Sequence, residues 1–288
     1  MNGTDLATLE VALAEVAAGT RIAYLGPEVS ARSGGPAPAT RAELCRRLEA
    51  EVRVPRRASG DLWAVAQYIE SRKFRATLDA MVRRAFAPAP GAEGAEGTGP
   101  RANPLHDWLA RLRPPMVVDT WYDDGLLTAF ERAGAGWGLV QGVSRAGGWT
   151  EAYTRAYGAG GAEVAAPDPD WQTLLYKPQG LARPGSSFLI SDSDYVEVLT
   201  EIDIQTPIPE EVRRRRTGRP FLFLGCRFDD QLLRIYARQI TKRSGAGHVA
   251  LLPGPLSRME ARFIAELGIR RLDLGLDAVT GRLTAPAG

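Results

Sequence analysis

Three short stretches hold the residues best placed to do chemistry: YLGPEVSARSGGPAP (24–38), DTWYDDG (119–125) and LGCRFDD (224–230). Each runs from a strand-like apolar segment through Gly or polar residues into a helix-like one. That arrangement aims backbone N–H groups and a helix N-terminus at a ligand. One Gly-rich turn is weak evidence, because Gly and Pro also serve plain loops. Three in one sheet point to a nucleotide-type pocket. The adjacent acids Asp123–Asp124 and Asp229–Asp230 could do acid–base work or hold a metal, but neighbours at a helix start point apart, and helix capping is the plainer reading. SDSDYVEVL (191–199) reads as a capped helix start and lacks the later Gly and Glu of a calcium loop. The two histidines, His106 and His248, read as structural. Cys45 and Cys226 are too few for a disulfide scaffold or a four-cysteine zinc site, which fits a reduced compartment; no metal site is expected.

Turns of this kind need strands and helices to position them. Short apolar runs recur as RIAYLG (21–26), MVVDT (116–120), WGLVQ (137–141), TLLYK (173–177), FLIS (188–191), FLFLG (221–225), HVALLP (248–253) and RRLDL (270–274). Between most of them lie helix-period segments, among them TRAELCRRLEAEV, DDGLLTAFERAG, DDQLLRIYARQITKR and LSRMEARFIAELG, the last with Gly268 as a natural C-cap. Strands alternating with helices predict an α/β fold, a mainly parallel sheet with helices on both faces and ligands at the strands' carboxyl ends. The expectation is one domain over 1–288, interrupted by a helical insertion at 55–104. Within that insertion, 59–87 is helical and PAPGAEGAEGTGP (88–100) is a flexible surface loop. Leu62, Trp63, Val65, Ala66, Tyr68 and Ile69 give the insertion helix an apolar surface wider than one stripe. It is buried in the insertion or shared with another chain, burial being the favoured choice.

Composition narrows the function classes. Lys+Arg 36 against Asp+Glu 34 leaves a net charge of +2, too little to gather nucleic acid or anionic lipid. The basic run EEVRRRRTGR (210–219) has no interleaved aromatics and reads as a solvated helix end, its arginines near the negative end of the dipole. No apolar run reaches the roughly 18 residues of a spanning helix, and no basic leader opens the sequence. A soluble cytoplasmic protein is expected, with no nucleic acid and no membrane partner; a protein partner and a homo-oligomer stay open.

Four blocks, in order, carry a family resemblance. YLGPEVSARSGGPAPATRAELCRRLEA resembles the opening of sirtuin-like domains, where a G-A-G-V-S loop cradles the NAD pyrophosphate and a later G-I-P leads to a helix. PLHDWLARLRPPMVVDTWYDDGLLTAF is similar to the family's strand running into T-x-N-Y-D. TLLYKPQGLARPGSSFLISDSDYVEVL resembles the K-L-H-G block and its following helix, and FLFLGCRFDDQLLRIYARQI the late G-x-S-x-x-D turn that holds the adenosine ribose. The resemblance implies a Rossmann-like fold and a ligand such as NAD or ADP-ribose at Gly26, Glu28, Ser30, Thr120, Trp121, Asp123, Gln179, Gly225, Arg227 and Asp230.

The same blocks depart from the family where its chemistry lies. Trp121 stands at the position of the Asn that orients the ribose or attacking water, and Gln179 at that of the general-base His. Gln takes up no proton near neutral pH and indole only donates, so neither residue carries its predecessor's role. G-A-G has become GPE: Pro27 lacks a backbone donor, and Glu28 sets a carboxylate where a pyrophosphate would lie. Arg227 replaces the Ser of the last turn and either grips a phosphate or carboxylate or pairs with Glu28 and closes the pocket. The leading expectation is therefore a catalytically degenerate sirtuin-like protein that binds a nucleotide-type ligand or a protein partner. One alternative is a divergent NAD glycohydrolase with Asp123 or Glu28 as general base, its pKa raised by burial. Another is a structural module with Trp121 filling the cleft. VVDTWYDD, LLYKPQG and FLISDSDYVEVLTEIDIQTPIPE are also similar to sirtuin-like proteins of nitrogen-fixation gene clusters, which implies a role in nitrogenase maturation, protection or regulation.

Overall fold

Along β1 (Ile22–Leu25) successive side chains go to opposite faces, Ile22 and Tyr24 into one apolar layer, Ala23 and Leu25 into the other. A strand buried on both sides needs cover on both, which a parallel sheet obtains from its crossover helices. The computed structural model describes residues 3–33, 35–87, 103–146, 152–201 and 208–283. The sheet follows the order β5-β4-β3-β6-β2-β1-β7-β8-β9. To one side of β1 lie β2 (Met116–Asp119), β6 (Thr173–Lys177) and β3 (Trp137–Gly142), all parallel to it. To the other lie β7 (Phe221–Leu224), β8 (Val249–Leu251) and β9 (Arg270–Leu272), also parallel. At the far edge β4 (Thr154–Gly158) and β5 (Glu163–Val164) run antiparallel. This is an α/β, Rossmann-like fold.

One layer packs α1 (Gly3–Ala17), α5 (Pro104–Leu112), α6 (Gly125–Ala133) and α11 (Asp277–Leu283) on the sheet. The other holds α2 (Arg41–Glu51), α3 (Leu62–Lys73), α4 (Arg75–Phe86), α8 (Glu210–Arg216), α9 (Gln231–Thr241) and α10 (Arg258–Glu266), with α7 (Asp192–Glu201) beside α3. Asp61 caps α3 by accepting from the Trp63 and Ala64 amides, and Gly268, at φ 60°, follows α10. The insertion is two helices, α3 and α4, and its 88–100 segment lies outside the described residues. Leu62, Trp63, Val65, Ala66 and Ile69 are buried and Tyr68 half-buried, so burial accounts for the wide apolar face.

Two expectations are corrected. FLIS is not a strand: Phe188 makes a single antiparallel bridge to Gly180, and by Ser191 the chain is turning into α7. Asp194 holds the Ile190 and Ser191 amides at 2.9 and 3.2 Å, so the segment's donors go to a helix cap. Nor is the EEVRRRRTGR run a solvated helix end. Arg215 and Arg216 are buried, Arg215 donating to the Pro115 and Trp171 carbonyls at 2.6 Å and Arg216 to those of Gln239 and Ile240. Five guanidinium donors let a short helix cross-link loop carbonyls and the last turn of α9, which outweighs exposure of the charge. The antiparallel β4–β5 edge was not anticipated, its half-exposed TRAYG lacking a strong apolar pattern.

His248, at the start of β8, is structural. Its Nδ1 accepts the Phe221 N–H at 3.0 Å, and burial, with Arg21 nearby, pushes the imidazole down to about 4. A depressed histidine favours the fold while neutral: its contribution is complete above about 6.5 and is lost as pH falls toward about 4. Urea midpoints measured across that window should fall for the wild type and fall less for His248→Gln.

Candidate functional site

β1, β2 and β7 end level, Leu25 pairing with both Asp119 and Leu224, so their turns meet beside one another. The chain leaves β1 toward β2 on one side and returns to β7 on the other, the switch point at which α/β sheets open a crevice. A cavity of about 190 Å³ lies there. Its walls come from the ends of all three strands, from Gln179 after β6, and from Thr40 and Arg41 at the start of α2.

The turn after β1 is closed against the turn after β7. The Gly26 amide donates to Leu224 O at 2.9 Å, Glu28 N to Gly225 O at 3.1 Å and Val29 N to Gly26 O at 3.2 Å, while Pro27 has no donor. All amides from 26 to 29 are therefore engaged inside the protein, and none faces a ligand. Both glycines are required by this approach. A Cβ on Gly26 would lie 2.4 Å from Gly225 O, and Gly225 itself sits at φ 65° with Val29 2.9 Å from its Cβ position.

Trp121 is 1% exposed. Its indole N–H donates to Pro38 O at 2.8 Å, and its ring meets Phe86 edge-on at 5.6 Å and Tyr122 at 5.1 Å. A clamp holds its backbone from both ends: the N–H donates to Asp119 Oδ1 at 3.1 Å and the carbonyl accepts from Lys177 Nζ at 2.6 Å. Lys177 and Asp119 are themselves a buried ion pair at 2.6 Å. Burial raises the Asp119 carboxyl above its ordinary range despite that lysine. Neither residue stood out in the sequence, although the signal was there: β2 and β6 are neighbours in register, and each ends an apolar run on a charge of opposite sign.

Of the ten residues expected at a ligand, Glu28, Thr120, Trp121, Gln179, Gly225 and Arg227 line the cavity. Gly26 lies beneath it in the β1–β7 contact. Asp230 caps α9, accepting from the Leu232 and Leu233 amides. Ser30 and Asp123 bond to one another at 2.6 Å, and Asp123 also accepts the Gly125 N–H at 2.8 Å. Burial would raise the Asp123 carboxyl, but Lys177, His106, the Ser30 hydroxyl and the Gly125 amide hold it below its ordinary value. This lowering does not favour the general-base role that the glycohydrolase alternative gives Asp123. His106, at the start of α5, packs against Gly125, and burial lowers the pKa of its imidazole; it does not line the cavity.

Arg227 is also corrected. It makes no salt bridge to Glu28; its guanidinium makes a forked contact to Glu260 at 2.9 and 3.0 Å and reaches the Pro253 and Pro255 carbonyls. Glu260 is buried at the head of α10, where it also completes a capping box with Ser257 and accepts the Phe228 N–H, so it offers Arg227 a better partner than Glu28 does.

Residues 115–272, more than half of the chain, match the family model described as SIR2-like domain, from the strand before Trp121 to β9. The chain belongs to the SIR2-like domain family. A search of curated proteins finds no match. Within this SIR2-like domain the matched span carries the turns after β2, β6 and β7, while the closed turn after β1 precedes it.

A bound NAD does not fit the groups present. Its pyrophosphate finds no amide from 26 to 29, and both cavity arginines already hold carboxylates. The cavity is also below the ~300–1,000 Å³ usual for drug-sized ligands, which NAD exceeds. Among the described residues no cluster of His, Cys, Asp and Glu could hold a metal, and no helix is long and apolar enough to cross a membrane.

Proposed function

We propose that this SIR2-like domain does not cleave NAD and acts by binding, at the crevice where β1, β2, β6 and β7 end, a small ligand or a protein partner. The observation that supports the reading is the closure of the turn after β1 upon the turn after β7, which engages every amide from 26 to 29. Trp121 and Gln179 at the positions of the family's Asn and His agree with it, since neither exchanges a proton near neutral pH. The biological setting we propose is nitrogen fixation, on the wording shared with the sirtuin-like proteins of those gene clusters; affinity capture from nitrogen-fixing cells tests it. The chemical test is incubation with NAD. Wild-type protein should release no nicotinamide above the rate of a heat-denatured control, by chromatography over many hours. Sustained release that disappears in Asp123→Ala would establish the glycohydrolase alternative instead.

A further inference from the structure

The polar groups facing the crevice select a charge type. Glu28 lines the cavity and makes no salt bridge within 4 Å among the described residues, although its charge lies near enough to Arg227 to favour the guanidinium. Its two arginines are held: Arg41 by Asp229 and, at 3.7 Å, by Asp230, and Arg227 by Glu260. Counted with those partners, four carboxylates surround two guanidiniums, a net of two negative charges. Cys226, in the same wall, adds no charge, because burial, with Glu28 nearby, pushes its thiol well up.

A second polar group faces the same space. Gln179 is 2% exposed and lines the cavity; its side-chain amide makes no hydrogen bond to another described residue, and its polar atoms are not among the fully enclosed ones, so they open onto the cavity. An amide that opens onto the cavity is free to bond a ligand or a water there. The remaining wall is apolar, with Tyr24, Trp121, Phe228 and Leu233. Aromatic walls beside a carboxylate favour a cation that is part apolar.

We infer that the crevice binds a small organic monocation bearing N–H donors, an ammonium or amidinium on an apolar body, with Glu28 as counterion and Gln179 as hydrogen-bond partner. This rests on reading the crevice as a binding site, and it reverses the charge preference of a phosphate site. The volume of about 190 Å³ limits the ligand to a small molecule.

Calorimetric titration with benzylammonium, neutral benzyl alcohol, benzoate and ADP-ribose tests it. Benzylammonium should bind at least tenfold more tightly than benzyl alcohol, with benzoate and ADP-ribose weaker still. Glu28→Gln should weaken benzylammonium at least tenfold and leave benzyl alcohol unchanged; its side chain makes no internal ion pair, so the fold should survive, as circular dichroism would show. Gln179→Leu should weaken both. The inference is overturned if benzylammonium fails to bind at millimolar concentration, if benzoate or ADP-ribose binds as tightly, or if Glu28→Gln binds the cation as the wild type does. Nicotinamide release from NAD would instead strike the proposed function, so the two failures are separable.

Discussion

Lys177→Met is expected to cost about 3–5 kcal/mol at pH 7, the range for removing one partner of a buried ion pair. Lys177 is 2% exposed and its ammonium serves both Asp119 Oδ2 and the Trp121 carbonyl at 2.6 Å. The variant strands a buried carboxylate and a buried carbonyl together. Burial already raises Asp119, and loss of the lysine raises it further. A carboxyl raised in the fold favours folding while protonated, and that advantage is lost as pH rises through the raised value. The deficit of Lys177→Met should therefore shrink as pH is lowered from 7 toward 4, whereas a simple packing defect would not change. Asp119→Leu/Lys177→Met should recover much of the loss, since matched apolar residues can replace a buried pair at little cost. Urea denaturation of the wild type, Lys177→Met, Asp119→Leu and the double variant at two pH values closes the cycle. A cost below about 1 kcal/mol for the single change would show that the clamp on Trp121 does not depend on the pair.

The sheet was legible because its strands are buried on both faces, and a run such as FLFLG has few other uses. FLIS shows the limit of that signal. It is as apolar as a strand, but Ser191 and Asp194 direct its amides into a helix cap, and only the tertiary hydrogen bonds reveal the choice. The arginine run misled for a related reason. Its composition suits water, and whether a guanidinium finds several free carbonyls depends on segments distant in sequence, here the loops around Pro115 and Trp171 and the last turn of α9 at Gln239.

At the crevice, family position pointed to turns that meet there but not to their partners. Arg227 had two evident uses, and Glu260, which it takes, lies 33 residues further on at the head of α10. Ser30 and Asp123 were each expected at a ligand, and neither suggested the other, although their hydrogen bond spans 93 residues. What was readable was local substitution, as in Trp121, Gln179 and Glu28. What was not readable was the closure of one turn upon another, because that depends on how β1 and β7 come level in register.

That closure makes Gly26→Val the sharpest structural test of the crevice. The first added carbon would fall 2.4 Å from Gly225 O and 2.5 Å from Cys226 Cβ, and two further methyl groups would follow. Backbone cannot move aside as a flexible side chain does, so the β1 and β7 turns must separate, breaking the Gly26–Leu224 and Glu28–Gly225 hydrogen bonds. Overpacking of this kind costs about 1–3 kcal/mol, and two lost buried hydrogen bonds carry the expected total above about 3 kcal/mol. Gly275→Ala is the control: nothing lies within 4 Å of its Cβ position, and its effect should stay within about 0.5 kcal/mol. Hydrogen exchange gives a local reading, with the Glu28 amide protected in the wild type and in Gly275→Ala but exchanging much faster in Gly26→Val. If Gly26→Val and Gly275→Ala unfold at the same urea concentration and protect Glu28 equally, the turns are not closed on one another, and the β1 amides are free for a phosphate after all.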